Sequence, residues 1–454
     1  MLFNSLAFLF FLPIVFALYW SVRSLRWQNG ITMLASFFFY GWWDWRFLIL
    51  MVGTCIANYY IGHAINKRES RHSRKAWLLS AILLNIGLLA LFKYFNFFVD
   101  NLTALFSLFH FSADFPTLRL ILPIGISFYT FQLTAYVVDI YRRQLLPAHS
   151  LWHFLSFICF FPQLVAGPIE RGANLLPQFA VKRTFDYATT VSGMRLILWG
   201  LMKKMLIADN CAPVADFAFD NYSTLSSLDL LTGLLAFTVQ VYCDFSGYSD
   251  MAIGTARLFG IRLSQNFNFP FFATTIREFW RRWHMTLMSW LRDYVYFPLG
   301  GSRCSTVRHY FNVFVLYMLS GLWHGPNWSF VAWGTWNGFF NITTKHLKIP
   351  KALSWFVTIA VFVLSQIFFR NPTVQDGLRF FTRMFSLQGG WHTIVSRMPL
   401  LYIFVLFSLE WFYRKRPNCI TELPVWARYA IYIIAFLACI YYGGDQIQFI
   451  YFQF

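Results

Sequence analysis

Two stretches of the chain carry residues that can do chemistry. SGLWHGPNWSF, at 320–330, sets His324 between Trp323 and the helix breakers Gly325 and Pro326. REFWRRWHMTLMSWLRDY, at 277–294, sets His284 among Arg277, Arg281, Arg282 and Arg292. An imidazole, with a reference pKa of about 6.5, takes up and releases protons near neutral pH. Guanidinium forks match phosphate oxygens. The chemistry on offer is proton transfer beside an anion-docking face. Each feature also has a plainer reading. His324 can be a neutral core ring hydrogen-bonded to a backbone carbonyl, and the arginines can anchor an interfacial helix to lipid phosphates.

The spacing in the second stretch predicts one amphipathic helix on the cytoplasmic side. Trp280, Trp283, Leu287, Trp290 and Tyr294 recur at steps of three and four. Arg277, Arg281, His284, Met288 and Arg292 fall on another face, and Glu278 precedes Arg282 by the four residues that favour a helical ion pair. In FPLGGSRCSTVR, which follows, Gly300 and Gly301 beside Arg303 and Arg308 either cradle a phosphate or simply turn the chain. Trp323, Asn327, Trp328, Trp333 and Trp336 either wall a pocket around His324 or pack routinely. In YCDFSGYSDMAIG, Asp244, Ser246, Ser249 and Asp250 are polar support or ligand contacts. No Cys/His metal spacing and no G-x-S-x-G elbow accompanies them; no metal and no permanently bound cofactor is expected.

The elements that must hold these residues are apolar. Hydrophobic residues make up 58% of the 454, with 55 Phe and 19 Trp, and only 12% are charged, against about 25% in soluble domains. The fold class expected is all-α: a single polytopic membrane domain over 1–454, a bundle of about eleven or twelve spanning helices of roughly 20 residues each. Apolar runs lie near 5–22, 30–43, 46–65, 77–98, 118–141, 188–207, 228–248, 309–323, 327–344, 352–370, 399–413 and 428–443. The stretches 150–168 and 265–300, broken by Pro, Gly and charges, read as re-entrant or interfacial segments. The first 22 residues lack a basic leader and a small-residue cleavage site, and read as a first span.

The net charge of +18 would suggest nucleic acid in a soluble chain. Here it reads as basic cytoplasmic loops, with no nucleic-acid partner. NKRESRHSRK anchors one such loop through Lys67, Arg68, Arg71, Arg74 and Lys75. Segments 99–117, with Asp100 and Asp114, and 208–227, with Asp209, Asp216 and Asp220, then lie outside. Arg142, Arg143, Lys345, Lys348, Lys351 and Arg414–Arg416 lie inside, and the N-terminus outside. Seven cysteines without a C-x-x-C pair read as buried reduced thiols. The run 309–323 rises only ~22 Å as a helix. His324 is thus expected beyond mid-membrane, where an ionisable residue is a functional candidate.

These residues resemble a known family. The two histidine blocks, with FFFYGWWDWRFLIL, LPIGISFYTFQLTAYVVDIYR, FPQLVAGPIER, VYCDFSGYSDMAIG, NFNFPFFATTIREFW and the terminal FIYFQF, are similar in order to the membrane-bound O-acyltransferase family. Within it they look most like the bacterial branch that O-acetylates alginate, other exopolysaccharides or peptidoglycan. The resemblance implies about eleven spanning helices with re-entrant ones around a funnel or tunnel, in a bacterial inner membrane. It marks His324 as the family's W-H-G histidine and His284 as the upstream polar residue. It implies acetyl-CoA as donor substrate, a glycan acceptor outside and a periplasmic partner of the serine-esterase type. On that basis His324 is expected to be the general base, and His284 to position the donor or relay a second proton. Arg277, Arg281, Arg282, Arg292, Arg303 and Arg308 would then meet the phosphates of coenzyme A, while Trp323, Asn327, Trp328, Asp244 and Ser246 would contact substrate. A small-anion transporter and a scaffold for polysaccharide secretion are the readings of other classes.

Overall fold

The computed structural model describes residues 1–110, 117–118, 120–165, 167–346, 349–387, 395–444, 447 and 449–450. Asp114, Lys348 and the last four residues of FIYFQF lie outside the described residues. All regular elements among the described residues are helical, and the chain is a polytopic helical membrane protein. Each of the twelve apolar runs falls on a helix. Among the described residues, five stretches are long and apolar enough to cross a bilayer by themselves: Trp45–Lys67, Arg71–Leu108, Ser227–Leu258, Lys351–Arg370 and Val425–Tyr442. Several runs have shifted ends. The run at 118–141 turns helical only at Ile126, because Gly125 stands in the left-handed region (φ 76°). The run at 228–248 continues through its polar end to Leu258.

The chain divides into two compact units, Met1–Arg195 with Ala252–Ser264, and Leu196–Met251 with Gln265–Phe454. The first unit is tied by buried polar groups. The guanidinium of Arg183 donates to Tyr19 Oη and Asn29 Oδ1, each at 2.6 Å. Asn58 and Asn85 exchange amide hydrogen bonds of 2.8 and 2.9 Å. Glu170, in the FPQLVAGPIER stretch, accepts from Asn174 at 2.7 Å and from the backbone and side chain of Ser264.

The second unit holds both histidines. The helix Thr306–His324 starts at Ser305, whose hydroxyl accepts from Arg308 N, and ends where Gly325 turns extended (φ −165°, ψ 154°). Asn327 then caps the helix Trp328–Thr343 by accepting from Ser329 N at 3.1 Å. The first of these helices has 19 residues, four more than the apolar run, because Thr306, Val307, Arg308 and His324 also wind into it. Its rise is therefore about 28 Å, and His324 is its last residue. The two helices touch backbone to backbone. A Cβ on Gly321 would lie 2.1 Å from Phe330 O, and one on Gly334 would lie 2.3 Å from Tyr317 O. Gly334→Ala is expected to force them apart at a cost of about 1–3 kcal/mol. A melting midpoint in detergent equal to that of the wild type would refute this.

Candidate active site

The stretch 277–294 is not one helix. Ile276–Arg282 ends at Trp283 in extended backbone, His284 takes the left-handed region (φ 44°, ψ 51°), and Met285–Leu291 begins after it. A side chain at positive φ costs about 1–2 kcal/mol, and backbone pairing holds it there. Asn268 N donates to Arg282 O and Met285 N donates to Asn266 O, each at 2.9 Å. The break corrects the expected single helix and removes His284 from the arginine stripe. Arg277, Arg281 and Arg292 are exposed, whereas His284 is 1% exposed. Trp280, Leu287 and Trp290 are buried on two short helices and Trp283 is buried at the break between them, as the apolar spacing predicts, whereas Tyr294 is only half-buried.

His284 sits in a defined hydrogen-bond frame. Its Nδ1 lies 3.0 Å from Asn266 Oδ1. Phe245 and Trp323 meet its ring edge-on, with centroids at 4.6 and 5.7 Å. Nε2 is buried with no hydrogen-bond partner among the described residues.

His324 is 4% exposed. Trp323, Trp333 and Phe369 surround its ring at 5.0, 5.2 and 5.1 Å between centroids. Trp323 thus touches both imidazoles, so residues 40 positions apart in the chain share one aromatic wall. Asn327 and Trp328 are placed differently. Asn327 spends its side chain on Ser329 N and Pro372 O. Trp328 is 56% exposed and lines an apolar surface groove of about 420 Å³ with Phe314, Trp336 and Phe368.

The basic residues fall into two groups. Arg282 pairs with Glu278 at 2.6 Å, as the four-residue spacing predicts. Burial alone would raise the Glu278 carboxyl, but the Thr274 N–H and Arg282 outweigh it and hold the group below its ordinary value. Arg292 pairs with Asp293 at 2.7 Å. The side chains of Arg277, Arg281 and Arg303 make no hydrogen bond or ion pair among the described residues. They leave three exposed guanidiniums for an anion. The glycine pair beside them is a turn. Gly300 and Gly301 have φ of 107° and 59°, and their N–H groups are spent on Phe297 O and Tyr296 O. Asn312 donates to Leu299 O and Gly301 O.

A buried ionic cluster escaped the reading of the sequence. A Cβ on Gly200 would lie 2.5 Å from Gly247 O, so the backbones of two helices touch there. That contact sets the π-helical turn Met202–Ala208 against Asp244 and Asp250. Lys204 Nζ lies 2.7 Å from Asp209 and 2.8 Å from Asp244, and donates to Ile447 O at 3.0 Å. Lys203 pairs with Asp250 and donates to Ser246 Oγ at 3.0 Å. Asp244 also accepts from Ile450 N at 2.7 Å. Asp244 and Ser246 therefore engage lysines and the C-terminal segment. Two adjacent lysines inside an apolar run were the available signal, since charge at membrane depth demands a partner. No group of three metal-binding side chains occurs among the described residues. All seven cysteines are free thiols, but the expected burial fails at Cys304, which is exposed, and at Cys419, which is half-buried.

The profile of the MBOAT, membrane-bound O-acyltransferase family, matches residues 141–371, which include both histidines. The probable alginate O-acetylase AlgI of Pseudomonas aeruginosa is 38% identical over 91% of this chain and 83% of its own length. The peptidoglycan O-acetyltransferase of Helicobacter pylori is 36% identical over 86% of this chain and 80% of its own. The teichoic acid D-alanyltransferase of Bacillus subtilis is 30% identical over 55% of this chain and 67% of its own.

Proposed function

Because the chain belongs to the membrane-bound O-acyltransferase family and is an acyltransferase, we propose that it takes acetyl from cytoplasmic acetyl-CoA and moves it across a bacterial inner membrane. The destination is a hydroxyl of an extracytoplasmic glycan, either an exopolysaccharide or peptidoglycan. A periplasmic partner of the serine-esterase type completes the transfer. The observation that carries the reading is the pair of buried imidazoles on one indole, His284 and His324 on Trp323. The glycan class rests on relatives named for alginate and peptidoglycan O-acetylation.

In this reading His324 is the general base. A neutral imidazole in an aromatic enclosure takes the proton from the attacking hydroxyl. The oxygen adds to the thioester carbonyl, the C–S bond breaks as the C–O bond forms, and the proton ends on the coenzyme A sulfur. Arg277, Arg281 and Arg303 receive the donor's phosphates, and Arg282 and Arg292 serve less because each already holds a carboxylate. The test is purified protein in lipid vesicles supplied with radiolabelled acetyl-CoA. Label transferred to a hydroxyl acceptor or released by hydrolysis supports the reading, and a preparation that does neither overturns it.

The arginine assignment makes its own prediction. Arg277→Ala with Arg281→Ala is expected to raise KM for acetyl-CoA about tenfold or more while kcat stays within about twofold, as for lost uniform binding. Arg282→Ala is expected to change KM less. Equal KM values for wild type and the double variant would remove these two residues from the donor site.

A further inference from the structure

Asn266 is fully buried. Its Oδ1 accepts from Thr286 N at 3.4 Å and Thr286 Oγ1 at 3.0 Å, and lies 3.0 Å from His284 Nδ1. Its Nδ2 donates to Ser249 Oγ at 3.2 Å. A backbone N–H can only donate, so the atom facing Thr286 N is the amide oxygen. The ring nitrogen facing that oxygen must then carry a hydrogen. In the neutral imidazole this leaves the lone pair on Nε2, the buried atom with no partner among the described residues. A ring in this tautomer cannot donate a hydrogen bond from Nε2 to a thioester carbonyl. It can only accept there.

We infer that Asn266 is a positioning residue that fixes His284 as a proton acceptor, and so decides between the two roles open to that histidine in favour of the proton relay. The inference rests on the acyl transfer proposed above. The two rings meet the same indole without touching each other among the described residues, so the hydroxyl proton taken up at His324 reaches Nε2 of His284 through water or substrate held between them, and leaves from Nε2 to sulfur as the C–S bond breaks. Nδ1 keeps its hydrogen throughout, and Asn266 Oδ1 faces the imidazolium while it exists. No further reactant is needed, because each proton taken from oxygen ends on sulfur.

Four variants test this in the vesicle assay, each first checked for monodispersity in detergent. Asn266→Ala removes the acceptor and is expected to lower kcat about 100-fold with KM for acetyl-CoA within about twofold, the range of a misplaced proton-transfer group. Asn266→Asp keeps an oxygen on Nδ1 and is expected to recover to within about tenfold of wild type. His284→Gln offers a donor where Nε2 stood, so it is expected to be as inactive as His284→Ala. A structural role for Asn266 would not separate kcat from KM, and a donor role for His284 would leave His284→Gln active. Transfer by wild type with Asn266→Ala at full rate, Asn266→Asp no better than Asn266→Ala, or His284→Gln at half the wild-type rate overturns the inference alone. Wild type that moves no acetyl overturns the reading beneath it. If Asn266→Ala does not fold, the glutamine and aspartate variants still decide.

Discussion

Alanine at position 324 is expected to abolish glycan acetylation while the protein still accumulates in the membrane. A positioned general base contributes roughly 10²–10⁴ in rate, so loss of the imidazole removes nearly all turnover. The difficulty is that the ring also packs. Trp323, Trp333 and Phe369 lie within 5.2 Å of it, centroid to centroid. Truncating a buried side chain typically costs about 2–5 kcal/mol. A phenylalanine separates the two roles, since it refills the aromatic enclosure without a titratable nitrogen. If the ring served packing alone, His324→Phe would restore acetylation. In the proposed chemistry it restores the melting midpoint and leaves acetylation at background. Glycan acetylation is read on whole cells and detergent stability on the purified protein. Acetylation at the wild-type level in either variant would sink the assignment of His324.

The two histidines were legible to different depths. His324 lies beside Gly325 and Pro326, and the chain does break there, with Asn327 capping the helix that follows. Breakers act through local backbone geometry, so sequence exposes them. The break at His284 has no such marker. Neither Trp283 nor His284 is a residue that ends helices, and the periodicity of Trp280, Trp283, Leu287 and Trp290 runs straight across it. What bends the chain is pairing with Asn266 and Asn268, 18 and 14 residues upstream of His284 and Arg282. Periodicity is a one-helix signal and does not register such tertiary pairing. The arginines show the reverse case. Their placement on the exposed side was legible, whereas the division into paired and open guanidiniums depended on Glu278 and Asp293 finding their partners. Lys203 and Lys204 were hidden for a third reason. An apolar window averages over two charges, and their partners Asp244 and Asp250 lie 40 and 47 residues on.

Lys204→Met is the second large effect, expected on stability rather than on chemistry. Lys204 is 1% exposed and stands between two carboxylates that are themselves 2–3% exposed. Removing one partner of a buried pair typically costs about 3–5 kcal/mol, because the remaining charge is left uncompensated. Here two carboxylates, Asp209 and Asp244, are left without their shared cation. Asp244→Asn should cost less. It leaves Lys204 with Asp209 and with Ile447 O, and the asparagine oxygen can still accept from Ile450 N. The combination Lys204→Met, Asp209→Asn and Asp244→Asn removes the ions together and is expected to recover part of the loss, since mutated sites in one network do not add. The measurement is the melting midpoint of each purified variant in the same detergent. The order expected is wild type, then Asp244→Asn, then the triple variant, with Lys204→Met lowest. The same order bears on the wall of the candidate active site. The cluster holds Ile450 N to Asp244, and Phe449 beside it packs on Phe245 at 6.0 Å, the ring that meets His284 edge-on. Loss of the cation therefore loosens the support of the His284 enclosure as well as the helix contact at Gly200 and Gly247. A Lys204→Met protein as stable as wild type would show that the lysine does not stabilise the pair of carboxylates, and would remove that link.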